Sequence, residues 1–262
     1  MRRKRIRLVT SPLSTAVFYS PHQDDEAIAM GGAIARSKRD GYRVILVLVT
    51  NGAPSARMVR RFEGEWCDWH LDRHRFSRAD LLHSRMLEFQ ESAGLLGVDE
   101  IRSWGIDDSL AYNPSTYPSF REQVALHVRA VVAEFPNGRH NLVAGDYDVT
   151  PSGESSRSHH ALWEVANEIS RSIQHVRFYR VYGYYHPASD RTATLVEELD
   201  GTTMAVKCSA LQAYKRFDPG SGRLAFGYHS VRPLIDAACD DPREFVDNPR
   251  GVNGRGDRLW RG

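Results

Sequence analysis

Hydrophobic and polar positions along the chain fall into two periods. Thr15–Ser20 (TAVFYS) is a short apolar run closed by Pro21 and reads as a buried strand. Ala27–Arg39 is alanine-rich, lacks proline and stops at Asp40-Gly41, the pattern of a helix with glycine just past its end. Val44–Thr50 (VILVLVT) is a continuous β-branched run closed by Asn51-Gly52, as expected of a strand covered on both faces. Strand, helix and strand in that order make a βαβ unit, with parallel pairing and a right-handed crossover.

The alternation continues downstream. Ser77–Leu96 has helical spacing through Leu81, Leu82, Met86, Phe89 and Ala93, ended by Gly97. A short strand is expected at Ile101–Trp104, a loop at Asp107–Pro118, and a helix at Phe120–Phe135 stopped by Pro136-Asn137-Gly138. Asn141–Ala144 reads as a strand, Gly153–Ser158 as a polar loop and His159–Arg171 as a helix. Val176–Tyr185 is β-rich and aromatic, and Ala205–Tyr214 is helical. No internal repeat or interdomain linker stands out. The expected fold class is α/β: one domain with a mostly parallel sheet. The expected boundaries are a basic arm over 1–13, one domain over 14–240, and a Pro/Gly/Asn-rich tail over 241–262.

Composition narrows the function. The chain has 262 residues, 41% hydrophobic and 26% charged, which suits a globular protein with a full core. Lys+Arg is 35 against Asp+Glu 33, an even balance that argues against a dedicated nucleic-acid binder. No apolar run is long enough for a membrane span, and the basic N-terminus lacks the apolar stretch of a signal peptide, so a cytoplasmic location is expected. The three cysteines, Cys67, Cys208 and Cys239, are far apart in sequence; no C-x-x-C spacing supports a redox pair, and a low odd count fits a reducing compartment.

The sharpest chemical feature is Pro21-His22-Gln23-Asp24-Asp25-Glu26, between the first strand and its helix. Open α/β sheets bind ligands at that edge. His22 and Asp25 are ordinary ligands for one cation, which leaves Asp24 free to act as a general base toward a metal-bound water. Glu26 falls in the first helical turn, where its charge suits the helix dipole. The bland alternative is an acidic N-cap cluster with an incidental histidine. A third ligand is offered by Ser158-His159-His160-Ala161-Leu162 at another strand-to-helix junction, where either histidine would serve.

These segments together resemble the LmbE-like/PIG-L N-acetylglucosaminyl deacetylases. PHQDDE is similar to the family's PHPDDE signature, and SHHAL to the second half of its H-x-x-H-x-A-L. The strand VILVLVTNG, the helix carrying Arg85, Glu88, Ala93 and Leu96-Gly97, and the late Lys207, Ala210-Leu211 and Tyr214 follow in the family's order, so the resemblance runs from about residue 15 to 235. It implies a Rossmann-like three-layer α/β/α core and a zinc-dependent hydrolase that deacylates an N-acetylated amine, an amino sugar or small amine conjugate. His22, Asp25 and His159 become the metal ligands, with iron(II) an alternative to zinc, and Asp24 the base. Arg85 and Asp108 match substrate contacts. The register is set by Ala161-Leu162, and it leaves His160 on a variable position.

Two departures stand out. Gln23 replaces a proline, a mild change. Ser156 replaces the first histidine of H-x-x-H; a serine can hydrogen-bond a substrate oxyanion but is a poor general acid. His160, Arg157 and His229 are candidate replacements, with His229 preferred as the catalytic acid. The departure also keeps open an amidase for a non-sugar natural-product intermediate or thiol conjugate, and a non-catalytic metal- or ligand-binding relative. The expected partner is a small N-acyl amine, with no nucleic acid or membrane, and with homo-oligomerisation left open. Trp66, Trp69, His70 and His74 are either a lid over the substrate or packing. The run Phe178, Tyr179, Tyr182, Tyr184 and Tyr185 reads as edge β-structure core rather than a binding platform.

Overall fold

The computed structural model describes residues 14–52, 76–145, 148–150, 156–170, 173 and 175–248. The basic arm, Cys67 and the tryptophan- and histidine-rich segment around it lie outside the described residues.

The first βαβ unit forms as its pattern predicts. Strand β1 is Thr15–Ser20, helix α1 is Asp25–Arg39 and strand β2 is Arg43–Thr50. Both strands are buried over nearly their whole length, which explains their unbroken apolar sequences. Helix α2 (Arg78–Leu95) opens with a reciprocal capping box between Ser77 and Asp80. It is followed by β3 (Glu100–Ile106), α3 (Tyr117–Glu134), β4 (Arg139–Val143), α4 (Arg157–Ile169) and β5 (Val176–Tyr179). Next come β6 (Leu195–Glu198), α5 (Gly201–Ala213), a small hairpin of β7 (Phe217–Asp218) and β8 (Arg223–Leu224), α6 (Phe226–Asp240) and β9 (Arg243–Asp247).

The main sheet has the order β3-β2-β1-β4-β5-β9-β6. Strands β1 to β5 pair in parallel, and β9 runs antiparallel to both β5 and β6. Helices α1, α2, α5 and α6 pack with one another, and α3 packs with α4, giving the expected three layers. The order reverses between β1 and β4. Chain leaving β1 moves toward β2, chain leaving β4 moves toward β5, and a crevice opens between their C-terminal ends.

The sequence pattern gives no element at β6 or α6, and three expected features differ. Helix α1 starts at Asp25, so the acidic residues form its first turn. Arg243–Asp247, placed by composition in the tail, is an internal strand of the sheet. Phe245 and Val246 are buried, and this short apolar pair suffices for a strand filling a gap between two others. The aromatic stretch after β5 turns into a short 3-10 helix at Tyr182–Tyr185 rather than continuing as strand.

Candidate metal centre

The end of β1 and the start of α4 face each other across that crevice, so His22, Asp25 and His159 meet although 137 positions separate the two histidines. His159 Nε2 lies 3.0 Å from Asp25 Oδ2 and 3.3 Å from His22 Nδ1, and His22 Nδ1 lies 3.4 Å from the same Asp25 oxygen. Three atoms held about 2.0–2.1 Å from one zinc ion at tetrahedral angles stand about 3.3 Å apart. The triangle therefore fits a tetrahedral divalent metal with its fourth position open. Among the described residues these three are the group of metal-ligating side chains close enough to share an ion.

The surroundings orient the ligands. The outer nitrogen of His22, Nε2, is 3.1 Å from Asp108 Oδ1, and the Ser158 hydroxyl donates to that same carboxylate oxygen at 2.7 Å. A carboxylate on the outer nitrogen fixes ring and tautomer, as second-sphere partners of ligating histidines commonly do. The ring of His159 stacks on Tyr182 at 5.2 Å between centroids and 3° between planes. Tyr182 is presented by the 3-10 turn after β5, and Asp148 holds that turn by accepting from the N–H groups of Val181 and Gly183 at 2.6 and 2.9 Å. Neither Tyr182 nor Asp148 is singled out by the sequence motifs. The available signal is topological, because both follow parallel strands at the edge where β1 ends.

Charge in the cluster follows from this geometry. Burial disfavours the His22 cation, but Asp108 and Asp25 outweigh it and hold the imidazole well above its usual range. Burial would raise Asp25, yet His159 and His22 hold it well below the carboxylate range. Without metal, His22 is thus a cation paired with Asp25 and Asp108, and a metal ion must displace its proton.

Asp24 is buried beside this triangle. Its backbone takes φ 120°, ψ −35°, a region where a non-glycine residue is strained. Burial pushes its carboxyl well above the usual range, opposed by Arg85. Arg85 donates to Asp24 Oδ2 at 3.4 Å, to the Gln23 carbonyl at 3.0 Å and to the Gly52 carbonyl at 2.8 Å, so it clamps the motif from α2. Gly52 has φ +61°, and a Cβ there would stand 1.9 Å from Gln23 Oε1. That close approach explains the glycine ending the β2 motif.

The other sequence candidates lie nearby in different ways. Ser156 is the residue before α4, and its hydroxyl lies 3.3 Å from Tyr112 Oη and 3.1 Å from Ser158 Oγ. His229 lies in α6, not in a free turn. It sits one turn from Phe226, whose ring lies under the Arg85 guanidinium at 5.6 Å. The structure therefore brings His22, Asp24, Asp25, His159, Asp108 and Arg85 into one contact network, with Ser156 joined through Ser158.

A profile of the GlcNAc-PI de-N-acetylase (PIG-L) family matches residues 17–177, which runs from within β1 to the first half of β5 and takes in all three ligand candidates. The chain belongs to the PIG-L family. It is accordingly a hydrolytic N-deacetylase by class. A comparison with curated protein sequences finds no match. Among solved structures, the zinc-inhibited form of teicoplanin deacetylase Orf2 is similar at 16% identity and a TM-score of 0.61, over 89% of this chain and 96% of the other. The N,N'-diacetylchitobiose deacetylase of Pyrococcus horikoshii is similar at 20% identity and a TM-score of 0.54, over 85% of this chain and 75% of the other. The 4-carboxy-2-hydroxymuconate hydratase GalB of Pseudomonas putida shares the fold at 15% identity and a TM-score of 0.55, over 89% and 95% of the two chains. At these identities the likeness speaks for the PIG-L fold alone. No described helix is long and apolar enough to cross a membrane.

Proposed function

We propose that this PIG-L member hydrolyses the amide of an N-acetylated amine, with one divalent metal, zinc by preference, held by His22, Asp25 and His159. The observation that carries the reading is the triangle of ligand atoms at 3.0 to 3.4 Å, buried at the switch point with Asp24 beside it. When bound there, a zinc ion supplies Lewis acidity toward a carbonyl and an acidified water.

The chain's own groups do the rest. Asp24 takes a proton from the attacking water; its strained backbone and the Arg85 clamp hold the carboxylate in one place. Arg85 also offers a guanidinium Nε that is buried with no partner among the described residues. Asp108 keeps His22 facing the metal position through its outer nitrogen. Ser156 offers a hydroxyl toward the substrate oxygen, in the place where the family motif carries histidine. The proton for the leaving amine is assigned to His229, on the helix whose first turn packs against Arg85.

Two acyl-amine classes are compatible with this site: an N-acetylated amino sugar and an N-acylated natural-product or thiol conjugate. The similar structures come from enzymes named for diacetylchitobiose and for teicoplanin, so both classes belong in the test. Zinc-loaded protein is incubated with a panel of both, and free amine is measured. Release that stops with a chelator and returns with zinc is the expected result. Asp24→Asn is expected to lose about 10²–10⁴ in kcat while keeping its metal content. Retained activity in that variant, or no release from any amide, overturns the reading.

A further inference from the structure

Cys208 and Cys239 are separated by 31 positions and share no motif, yet the fold aims them at each other. Cys208 is on α5 and Cys239 is in the last turn of α6; both are half-buried. The Cys208 thiol lies 3.1 Å from the Cys239 carbonyl, one of the carbonyls that a helix end leaves without an intrahelical partner. The two sulfur atoms stand 2.7 Å apart. The packing of α5 on α6 therefore brings the two thiols into direct contact. Two helices, not one motif, bring the pair together.

We propose that Cys208 and Cys239 are a disulfide-forming pair that staples α5 to the C-terminal half of α6 when a small-molecule disulfide is present. The oxidant is glutathione disulfide or a chemical equivalent. One protein thiolate attacks a sulfur of the oxidant, forming a mixed disulfide and releasing one thiol. The second protein thiolate then attacks the protein sulfur of that mixed disulfide and releases the other thiol. The two protein thiols lose two protons and two electrons, and the oxidant becomes two thiols. Burial and the neighbouring sulfur push the Cys208 thiol up to about 12, which makes Cys208 a reluctant first nucleophile toward the oxidant.

The crosslink has a defined mechanical place. Helix α6 is broken at Val231 (φ −137°, ψ 35°) and contains Pro233. Its first turn meets Glu88 on α2 and the Arg85 region, whereas Leu234, Ile235, Ala238 and Cys239 belong to the second half. The staple therefore fixes the second half and leaves the first turn alone.

The test uses the full chain with Cys67→Ser, so that this pair alone carries thiols. It is incubated with excess glutathione disulfide and mapped by mass spectrometry without reduction. The expected product is one peptide pair joined through Cys208 and Cys239, lighter than its reduced parts by two hydrogen atoms. The melting midpoint should rise by roughly 5–10 °C and fall back with dithiothreitol. With Cys208→Ser added, the rise should vanish and glutathione should remain trapped on Cys239. Two free thiols after incubation, a stable glutathione adduct without the crosslink in the Cys67→Ser protein, or an intermolecular disulfide would overturn the proposal.

Discussion

The main-chain N–H of Asp24 donates to Glu26 Oε2 at 3.1 Å, across a backbone turned to φ 120°. A residue held there costs about 1–3 kcal/mol and persists only when its surroundings over-determine it. Glu26 is that surrounding. Its Oε1 takes hydrogen bonds from Ser92 at 2.8 Å and Tyr214 at 2.5 Å, and its Oε2 takes Asp24 N–H and a longer one from Ser20 at 3.4 Å. A fully buried carboxyl, pushed up to about 6 by burial, is thus spent on aiming the neighbouring aspartate.

Glu26→Gln tests that relationship. The amide can accept at one end only. The Asp24 N–H cannot turn round, so the new amide nitrogen must face Ser92 and Tyr214. Loss of about 1–3 kcal/mol of stability is expected by urea denaturation. Activity should fall in kcat more than KM changes, because Asp24 loses its aim rather than the substrate its binding surface. Unchanged stability and kcat would show that the Asp24 backbone is held by something else.

Asp108 was assigned to the substrate by its place in the motif order, whereas the structure sets it on His22. Asp108→Asn separates the two roles. An orienting carboxylate predicts a loss of about 10–100-fold in zinc affinity, measured by competition with a chromogenic chelator. A substrate contact predicts a higher KM with zinc affinity untouched.

The βαβ pattern, the chain order of the parallel elements and the candidate ligands His22 and Asp25 were readable because each is local, whereas His159 was separated from His160 only by the family resemblance. A buried strand shows in six to eight consecutive residues, and a ligand motif shows beside the strand that presents it. What could not be read depends on long-range packing. Tyr182 looks like any strand aromatic until the chain turns at Val181 and lays its ring on His159. Phe245 and Val246 look like tail until β9 inserts between β5 and β6. Cys208 and Cys239 look unrelated until α6 folds onto α5. Ser156 is the intermediate case: its motif position was legible, but its partners Tyr112 and Ser158 were not.

Glu88 supplies a pH signature outside the candidate metal ligands. It sits on α2, where its carboxylate accepts from Ser84 and from the N–H groups of Phe226 and Gly227 at the start of α6. Burial outweighs these donors and pushes it up to about 7 from 4.5. A raised folded-state value means that the folded protein binds the proton more tightly than the unfolded chain. Stability from this group is therefore full below about pH 4.5 and is lost as pH rises through about 7. Denaturation at pH 5 and pH 8 should show the wild type losing more stability over that interval than Glu88→Gln. An equal loss in both proteins would place the titration elsewhere.

Lys207 and Glu244 are both fully buried and pair at 3.0 Å. Glu244 also accepts the N–H groups of Gly32 and Ala33 at 2.7 and 2.9 Å, and Lys207 donates to Tyr184 at 3.1 Å. The pair ties α5 and β9 to the middle of α1, the helix that carries Asp25. Gly32 allows the approach, since a Cβ there would lie 3.1 Å from the Glu244 carboxyl carbon and 2.5 Å from Leu199. Lys207→Met leaves an uncompensated carboxylate in the core and is expected to cost about 3–5 kcal/mol. Replacing both charges, Lys207→Met with Glu244→Gln, removes the stranded charge and should recover part of that loss, although the Gly32 and Ala33 donors then share a single acceptor. Urea denaturation of the two singles and the double closes the cycle. A Lys207→Met protein within 1 kcal/mol of wild type would mean that α1 is positioned without this pair.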